Sequence, residues 1–176
     1  ARVVQDIARH QPGAKAHNVL ALFDDPALQL QIARNAMAAS HPTLGPAAPR
    51  PGTGKIRVGY YSADFHRHAT TVLMAQLFEL HDRERFEWFA FSFGPDQQDD
   101  MRERVSSAFD HFLDVRERST QEIAELSRQL GIDIAVDLKG FTEDARIGIF
   151  AHRCAPVQVS WLGYPGTTGA DFMDYV

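Results

Sequence analysis

The stretch Lys55–Met74, KIRVGYYSADFHRHATTVLM, decides the fold class of this chain. Ile56, Val58 and Tyr60 recur at a two-residue period, which predicts a β-strand. A polar turn follows the strand, and a helical pattern begins after the turn. This order is the first half of a βα unit. Because ligands of open α/β sheets bind beyond the carboxyl ends of the strands, the turn marks the expected site.

A helix is predicted directly after this turn. Thr70 or Thr71 can cap its N-terminus, because a threonine hydroxyl accepts a hydrogen bond from an otherwise unpaired backbone N–H. The residues expected to begin its buried face are Val72, Leu73, Gln76 and Leu77.

The alternation of strands and helices continues to the end of the chain. Further strands are predicted at Phe86–Phe93, His111–Val115, Ile132–Leu138 and Val157–Leu162. Helices are predicted at Gln98–Ser107, Thr120–Leu130 and Arg146–His152. Strands separated by helices predict an α/β fold with a Rossmann-like, mostly parallel sheet. Right-handed crossovers then place every strand-to-helix turn at one edge of that sheet.

Two segments of different character precede the sheet. Residues 1–40 are predicted to be helical, with Asp25 as an N-cap and Pro26 at the first helical position. Such helix pairs also end helical repeat arrays, although no second copy recurs here at a fixed period. Residues 41–54 are rich in proline and glycine, which predicts a linker. The predicted domains are therefore 1–40, 41–54 and 55–176.

Composition excludes several functional classes. The net charge of −5 argues against a nucleic-acid partner, which needs concentrated Lys and Arg. The single cysteine, Cys154, excludes an internal disulfide framework. No apolar run approaches the length of a membrane span, and no signal peptide is recognisable. These features favour a cytoplasmic protein without a membrane partner.

The turn after the first strand carries the most unusual chemistry. His66 and His68 have a spacing that is familiar from metal ligands, and Asp64 is nearby, but no third cluster of ligands is visible. A histidine just ahead of a helix N-terminus is instead favoured in its neutral form, able to accept a proton or bind a sugar hydroxyl. Both histidines are equally compatible with an ordinary surface turn.

Two long strings resemble the O-linked N-acetylglucosamine transferase and SPINDLY family. They are RVGYYSADFHRHATTVLM at Arg57–Met74 and DLKGFTEDARIGIFAHRCAPVQVSWLGYPGTTGADFMDYV at Asp137–Val176. The resemblance covers about 24–176. It implies that residues 1–40 end a tetratricopeptide region. It also implies that residues 55–176 form the N-terminal half of a GT-B-type enzyme with two Rossmann-like halves, without the C-terminal half.

The resemblance implies an inverting glycosyltransferase. Its members transfer a sugar from a nucleotide donor, here expected to be N-acetylglucosamine from UDP-GlcNAc, to Ser or Thr hydroxyls of proteins. SPINDLY-type members imply the alternative of a GDP-fucose-dependent O-fucosyltransferase. The acceptor protein or peptide is expected to bind through the helical repeats. No cofactor and no metal are expected, and the segment alone is expected to be inactive, because the family holds its nucleotide mainly in the other half.

The resemblance also implies roles for particular residues. His68 matches the family's histidine near the reacting sugar, a candidate base or orienting group, although Ala69 stands where many members have a proline. The expected substrate-binding residues are Asp64, Lys139, Tyr164, Pro165, Gly166, Thr167 and Thr168. Two other interpretations stay open. One is a metal-dependent hydrolase that uses Asp64, His66 and His68, and the other is a non-catalytic module that binds a sugar or peptide.

Overall fold

The computed structural model describes residues 16–38, 47–49 and 54–176. Its strands are β1 (Ile56–Ser62), β2 (Phe86–Ser92), β3 (His111–Asp114), β4 (Ile134–Asp137) and β5 (Val157–Ser160). Its helices are α1 (Ala16–Leu20), α2 (Pro26–Ala38), α3 (Ala69–Glu79), α4 (Asp100–Ser106), α5 (Thr120–Gln129) and α6 (Gly148–Ala151). The predicted alternation is confirmed, with ends that shift by one or two residues.

The five strands form one parallel sheet in the order β3-β2-β1-β4-β5. The chain winds outward from β1 through β2 to β3, then crosses back to place β4 on the other side of β1. The winding therefore reverses between β1 and β4. The crevice at the carboxyl ends of those two strands is a topological switch point, where such sheets bind their ligands.

Helices cover both faces of the sheet, and the side-chain alternation of β1 shows how. Tyr60 and Tyr61 are neighbours in sequence but belong to two separate buried clusters. Tyr61 stacks on Phe91, with ring centroids 4.4 Å apart, under α5 and α6. Tyr60 lies in an aromatic cluster under α3 and α4. The α/β fold with a Rossmann-like parallel sheet that the sequence predicts is thus confirmed, with helices packed on both faces of the sheet.

The start and the buried face of α3 differ from the prediction. His68, rather than Thr70 or Thr71, is the N-cap. The helix buries Thr71, Met74, Ala75 and Phe78, and it leaves Val72, Leu73, Gln76 and Leu77 exposed. Both faces of this helix carry apolar residues, so periodicity alone could not choose between them. The ring of Phe78 decides, since it packs 4.9 Å from the ring of Phe109.

Two short helices precede the sheet, as predicted. Asp25 caps α2, because its Oδ1 accepts the N–H groups of Ala27 and Leu28 at 3.1 Å each. Ile32 is buried against α1 and Phe141. Residues 1–15, 39 and 40 of the predicted helical segment, and most of the predicted linker at 41–54, lie outside the described residues. The assignment of the helices to a repeat region stays a prediction.

Within the described ranges, no helix combines the length and the apolar character needed to cross a lipid bilayer.

Candidate functional site

The site is built from the turns that follow β1 and β4, the two strands at the switch point. These strands are paired in register, with Tyr61 opposite Asp137. Asp64 lies two residues beyond the end of β1, and Lys139 lies two residues beyond the end of β4. Because parallel neighbours end at the same edge, the two turns bring their side chains together.

Asp64 and Lys139 form a buried ion pair. The Lys139 Nζ donates to both carboxylate oxygens of Asp64, at 2.9 and 2.7 Å. The two residues are only 6% and 3% exposed. A buried charge is tolerated when it is paired and hydrogen-bonded, and each partner here satisfies the other. The charge of Lys139 is therefore balanced within the protein rather than offered freely to the cleft.

His68 stands beside this pair at the N-terminus of α3. Its Nδ1 accepts the backbone N–H of Thr70 at 3.3 Å, which caps the helix. The same Nδ1 lies 3.5 Å from Oδ2 of Asp64. Its Nε2 makes no hydrogen bond within the described part of the chain, and the side chain is 43% exposed. His68 can therefore meet a ligand through Nε2.

His66 lies in the same turn, with its ring centroid 5.9 Å from that of His68. Its Nδ1 is buried and has no hydrogen-bond partner among the residues that the structure describes. Among residues 16–38, 47–49 and 54–176, no group of three or more His, Cys, Asp or Glu side chains could hold a metal ion. The ligand set that the hydrolase interpretation requires is not assembled in that part of the chain. The expectation that the reaction needs no metal stays a prediction.

These residues line a cleft with a volume of about 450 Å³. Its walls are His17, Asp64, His66, His68, Thr70, Pro95, Gln97, Lys139, Thr142, Glu143, Asp144 and Gly163. Three of the predicted site residues, Asp64, His68 and Lys139, thus meet at one cleft. His17 was missed, because α1 is remote in sequence and carries no motif. Glu143 and Asp144 follow Lys139 in the same turn. Their position in a strand-to-helix turn was the only feature of the sequence that indicated a place in the cleft.

The loop GYPGTTG at 163–169 lies mostly against the N-terminal helices. Gly163 reaches the cleft, whereas Tyr164 is 7% exposed and packs edge-on against Phe141, with ring centroids 5.4 Å apart. Tyr164, Pro165, Gly166, Thr167 and Thr168 are not among the residues that line the cleft. Their predicted contact with substrate stays a prediction.

The glycines of this loop permit close packing within the protein. A Cβ on Gly166 would lie 2.9 Å from a methyl carbon of Leu20, and one on Gly169 would lie 2.8 Å from the Arg34 backbone nitrogen. A Cβ on Gly163 would lie 1.7 Å from the carbonyl oxygen of Leu138. The loop therefore fits between the helices and the Lys139 turn without space for side chains at these positions.

Asp137 shapes the turn that carries Lys139. Its carboxylate accepts the N–H of Lys139 at 2.9 Å and the N–H of Gly140 at 3.0 Å. These bonds favour the ionised form, but burial is the larger effect and raises the pKa of Asp137 to about 6, from an ordinary 3.8. The turn is thus held by an acid that titrates near neutral pH.

The stability of the chain should consequently depend on Asp137 between about pH 4 and pH 6. Between these pH values the Asp137 carboxyl is protonated in the folded state but ionised in the unfolded state. Folding is therefore most favoured at the low end of this pH range. Stability contributed by the protonated acid is lost as the pH rises through the folded pKa. The loss corresponds to about 3 kcal/mol of unfolding free energy.

Urea unfolding of the wild type and of Asp137→Asn across this range measures that contribution. The asparagine does not titrate, so the difference between the two unfolding free energies should change by about 3 kcal/mol across the window. Other carboxyl groups and His81 titrate in both proteins, so their contributions cancel in the difference between the two unfolding free energies. Parallel pH profiles would contradict the assignment.

Comparison with known proteins places the chain in a recognised group. A family model described as glycosyl transferase family 41 matches residues 29–176. The chain is 35% identical over 192 aligned residues to the Arabidopsis thaliana protein named "Probable UDP-N-acetylglucosamine--peptide N-acetylglucosaminyltransferase SEC", covering 98% of this chain and 20% of that protein. It is 41% identical over 123 residues to the Caenorhabditis elegans UDP-N-acetylglucosamine--peptide N-acetylglucosaminyltransferase, covering 69% of this chain and 11% of that one.

A solved structure shows the same similarity. The fold matches a mutant of the Thermobaculum terrenum O-GlcNAc transferase with a TM-score of 0.81 and 31% sequence identity. The match covers 99% of this chain and 36% of that structure. The chain thus spans about a fifth or less of the length of the curated relatives described above.

Proposed function

Since the chain belongs to glycosyltransferase family 41, we propose that it contributes to an inverting transferase that moves N-acetylglucosamine from UDP-GlcNAc to Ser or Thr hydroxyls of proteins. One observation carries this proposal: the His68 turn lines the switch-point cleft of a sheet that matches an O-GlcNAc transferase fold. The names of the relatives support the substrate class, and the cleft supports the proposal that the reaction takes place near His68.

The chemistry requires attack and departure on opposite sides of one carbon. The acceptor hydroxyl oxygen forms a bond to the anomeric carbon as the bond from that carbon to the diphosphate oxygen breaks, so the configuration inverts. The electron pair of the broken bond leaves with UDP. The hydroxyl proton passes to a base or to the departing diphosphate. A positioned base and groups that stabilise developing charge lower the barrier of such a step.

We propose that His68, which lines the cleft, acts on the transferred sugar. Its free Nε2 can accept the hydroxyl proton in one tautomer, or donate a hydrogen bond to a developing negative charge in the other. Lys139 is engaged by Asp64 and therefore supplies no free charge to the diphosphate. Neutralisation of the diphosphate then requires groups other than Lys139.

The acceptor is proposed to enter beside the N-terminal helices. His17 of α1 lines the cleft, and α1 and α2 pack against the loop that ends at it. A protein segment held by these helices would reach His68 over a short path. Binding by a helical repeat region and a cytoplasmic location both stay predictions.

The proposed function is tested with an enzyme of the length that the relatives have, supplied with UDP-GlcNAc or GDP-fucose and a Ser/Thr peptide. We expect mass spectrometry to show the peptide gaining N-acetylhexosamine from the UDP donor only. Fucose transfer would move the assignment to the fucosyltransferase alternative. Binding without turnover of either donor would favour a non-catalytic module.

The 176-residue chain by itself is expected to give no transfer. Its cleft is lined by three histidines and an internally balanced ion pair, but by no uncommitted Lys or Arg for a diphosphate among the lining residues that the structure describes. The same peptide assay, run at a high concentration of the chain, measures this. Turnover by the isolated chain would show that the nucleotide is bound here after all.

A further inference from the structure

Two neighbours compete for the same ring nitrogen of His68. The backbone N–H of Thr70 points its proton at Nδ1 from 3.3 Å, which requires a lone pair there. The Oδ2 of Asp64, 3.5 Å away, would instead accept a proton from Nδ1. A neutral imidazole carries one proton, so it can satisfy only one of them. The outcome decides which hydrogen-bonding group Nε2 offers to the cleft.

Lys139 weakens one of the competitors. Its Nζ lies 2.7 Å from the same Oδ2 and 2.9 Å from Oδ1. Both oxygens of Asp64 therefore already accept charge-assisted hydrogen bonds, and the ammonium cancels the negative charge that would draw a proton to Nδ1. The hydrogen bond from the Thr70 N–H, which requires an unprotonated Nδ1, is then the stronger of the two interactions.

We infer that Lys139 is a positioning residue that holds neutral His68 as the Nε2–H tautomer, so that His68 faces the substrate as a hydrogen-bond donor. This inference rests on the proposed function and assigns a role within it. His68 would then donate to an oxygen that gains negative charge as the diphosphate leaves, and the acceptor proton would pass to another base. Asp64 and Lys139 act through His68 rather than by touching substrate.

Imidazole ¹⁵N NMR of the 176-residue chain tests this directly, because protonated and unprotonated ring nitrogens have well-separated shifts. The measurement is made at about pH 8, where an ordinary imidazole is neutral. We expect Nδ1 of wild-type His68 to be unprotonated and Nε2 to be protonated. A wild-type spectrum that shows Nδ1–H overturns the inference without any variant.

Lys139→Gln tests the cause. Glutamine can still donate a hydrogen bond to Asp64 but carries no charge, so Asp64 regains its attraction for a proton on Nδ1. We expect the ratio of the Nε2–H to the Nδ1–H tautomer to fall by about tenfold, the equivalent of one charge-assisted hydrogen bond. Lys139→Arg, which keeps the charge, should leave the ratio unchanged.

A second variant separates tautomer control from general damage. Asp64→Asn combined with Lys139→Gln removes the carboxylate as well, so the Nε2–H tautomer should return. An unchanged ratio in Lys139→Gln, or a changed ratio that Asp64→Asn does not reverse, overturns the role of Lys139. The spectrum requires neither donor nor acceptor, so failure of the proposed transferase activity would be seen separately in the peptide assay.

Discussion

Replacement of His68 by alanine is expected to lower the turnover of the complete transferase by about 10²–10³-fold, the usual effect of removing one donor to developing charge. Nucleotide affinity should change far less, because the proposed role of His68 is at the transferred sugar rather than at a nucleotide site. Steady-state kinetics with a saturating peptide and direct nucleotide binding measure the two effects. A loss of only a few-fold would mean that His68 orients the sugar at most.

The variant His68→Gln distinguishes a hydrogen-bond donor role of His68 from a general-base role. A glutamine side chain retains an N–H donor but cannot accept and carry a proton near neutral pH. If His68 donates from Nε2, this variant should recover part of the activity lost in His68→Ala. If His68 is the base, both variants should lose a similar amount, within the range of about 10²–10⁴-fold that is typical of general-base catalysis.

His66→Ala is the control within the same turn. It removes a neighbouring imidazole whose ring does not pair with Asp64, so a single catalytic histidine predicts little loss of turnover. A metal site would respond differently, because either substitution would remove a ligand. Equal losses from His66→Ala and His68→Ala, reversed by added Zn²⁺, would overturn the transferase interpretation and favour the hydrolase.

The substitution Gly163→Ala is expected to destabilise the chain by about 3 kcal/mol, at the upper end of overpacking effects. A Cβ at this position would lie 1.7 Å from the carbonyl oxygen of Leu138, and a backbone atom cannot move away as a flexible side chain can. The turn that carries Lys139 would have to shift, so the cleft should be disturbed together with stability. Urea unfolding measures the first effect.

Gly54→Ala is a matched control for this prediction. Gly54 is exposed just before β1, and the same chemical change there should alter the unfolding free energy by less than about 0.5 kcal/mol. The ¹⁵N spectrum of His68 reports the effect on the cleft. Gly163→Ala with wild-type stability would show that the loop can move aside at little cost.

The architecture was predictable because the local signals in the sequence agree with the order of the strands and helices. The alternating residues of β1, the Asp25 cap and the strand-helix alternation all specify one arrangement. The buried face of α3 was not predictable from periodicity, since an aromatic contact to Phe109 selects between two apolar faces. Only packing between remote segments contains that information.

The candidate site was predictable in part for a similar reason. The parallel sheet places the ends of β1 and β4 side by side, so Asp64, His68 and Lys139 could be expected at one edge. The ion pair between Asp64 and Lys139 could not be read from the sequence, which indicated only that both residues bind substrate. The contribution of His17 depends on the position of α1, and no pattern near residue 17 encodes it.

The packing of the 163–169 loop has a consequence for protein engineering. The loop touches Leu20 and the Ala33–Arg34 backbone at one end and the carbonyl of Leu138 at the other, with no space for added atoms. The N-terminal helices and the parallel sheet are therefore not interchangeable modules. A chimera that receives its N-terminal helices from a relative must also receive the matching loop, or the mismatch will be transmitted directly to the turn that carries Lys139.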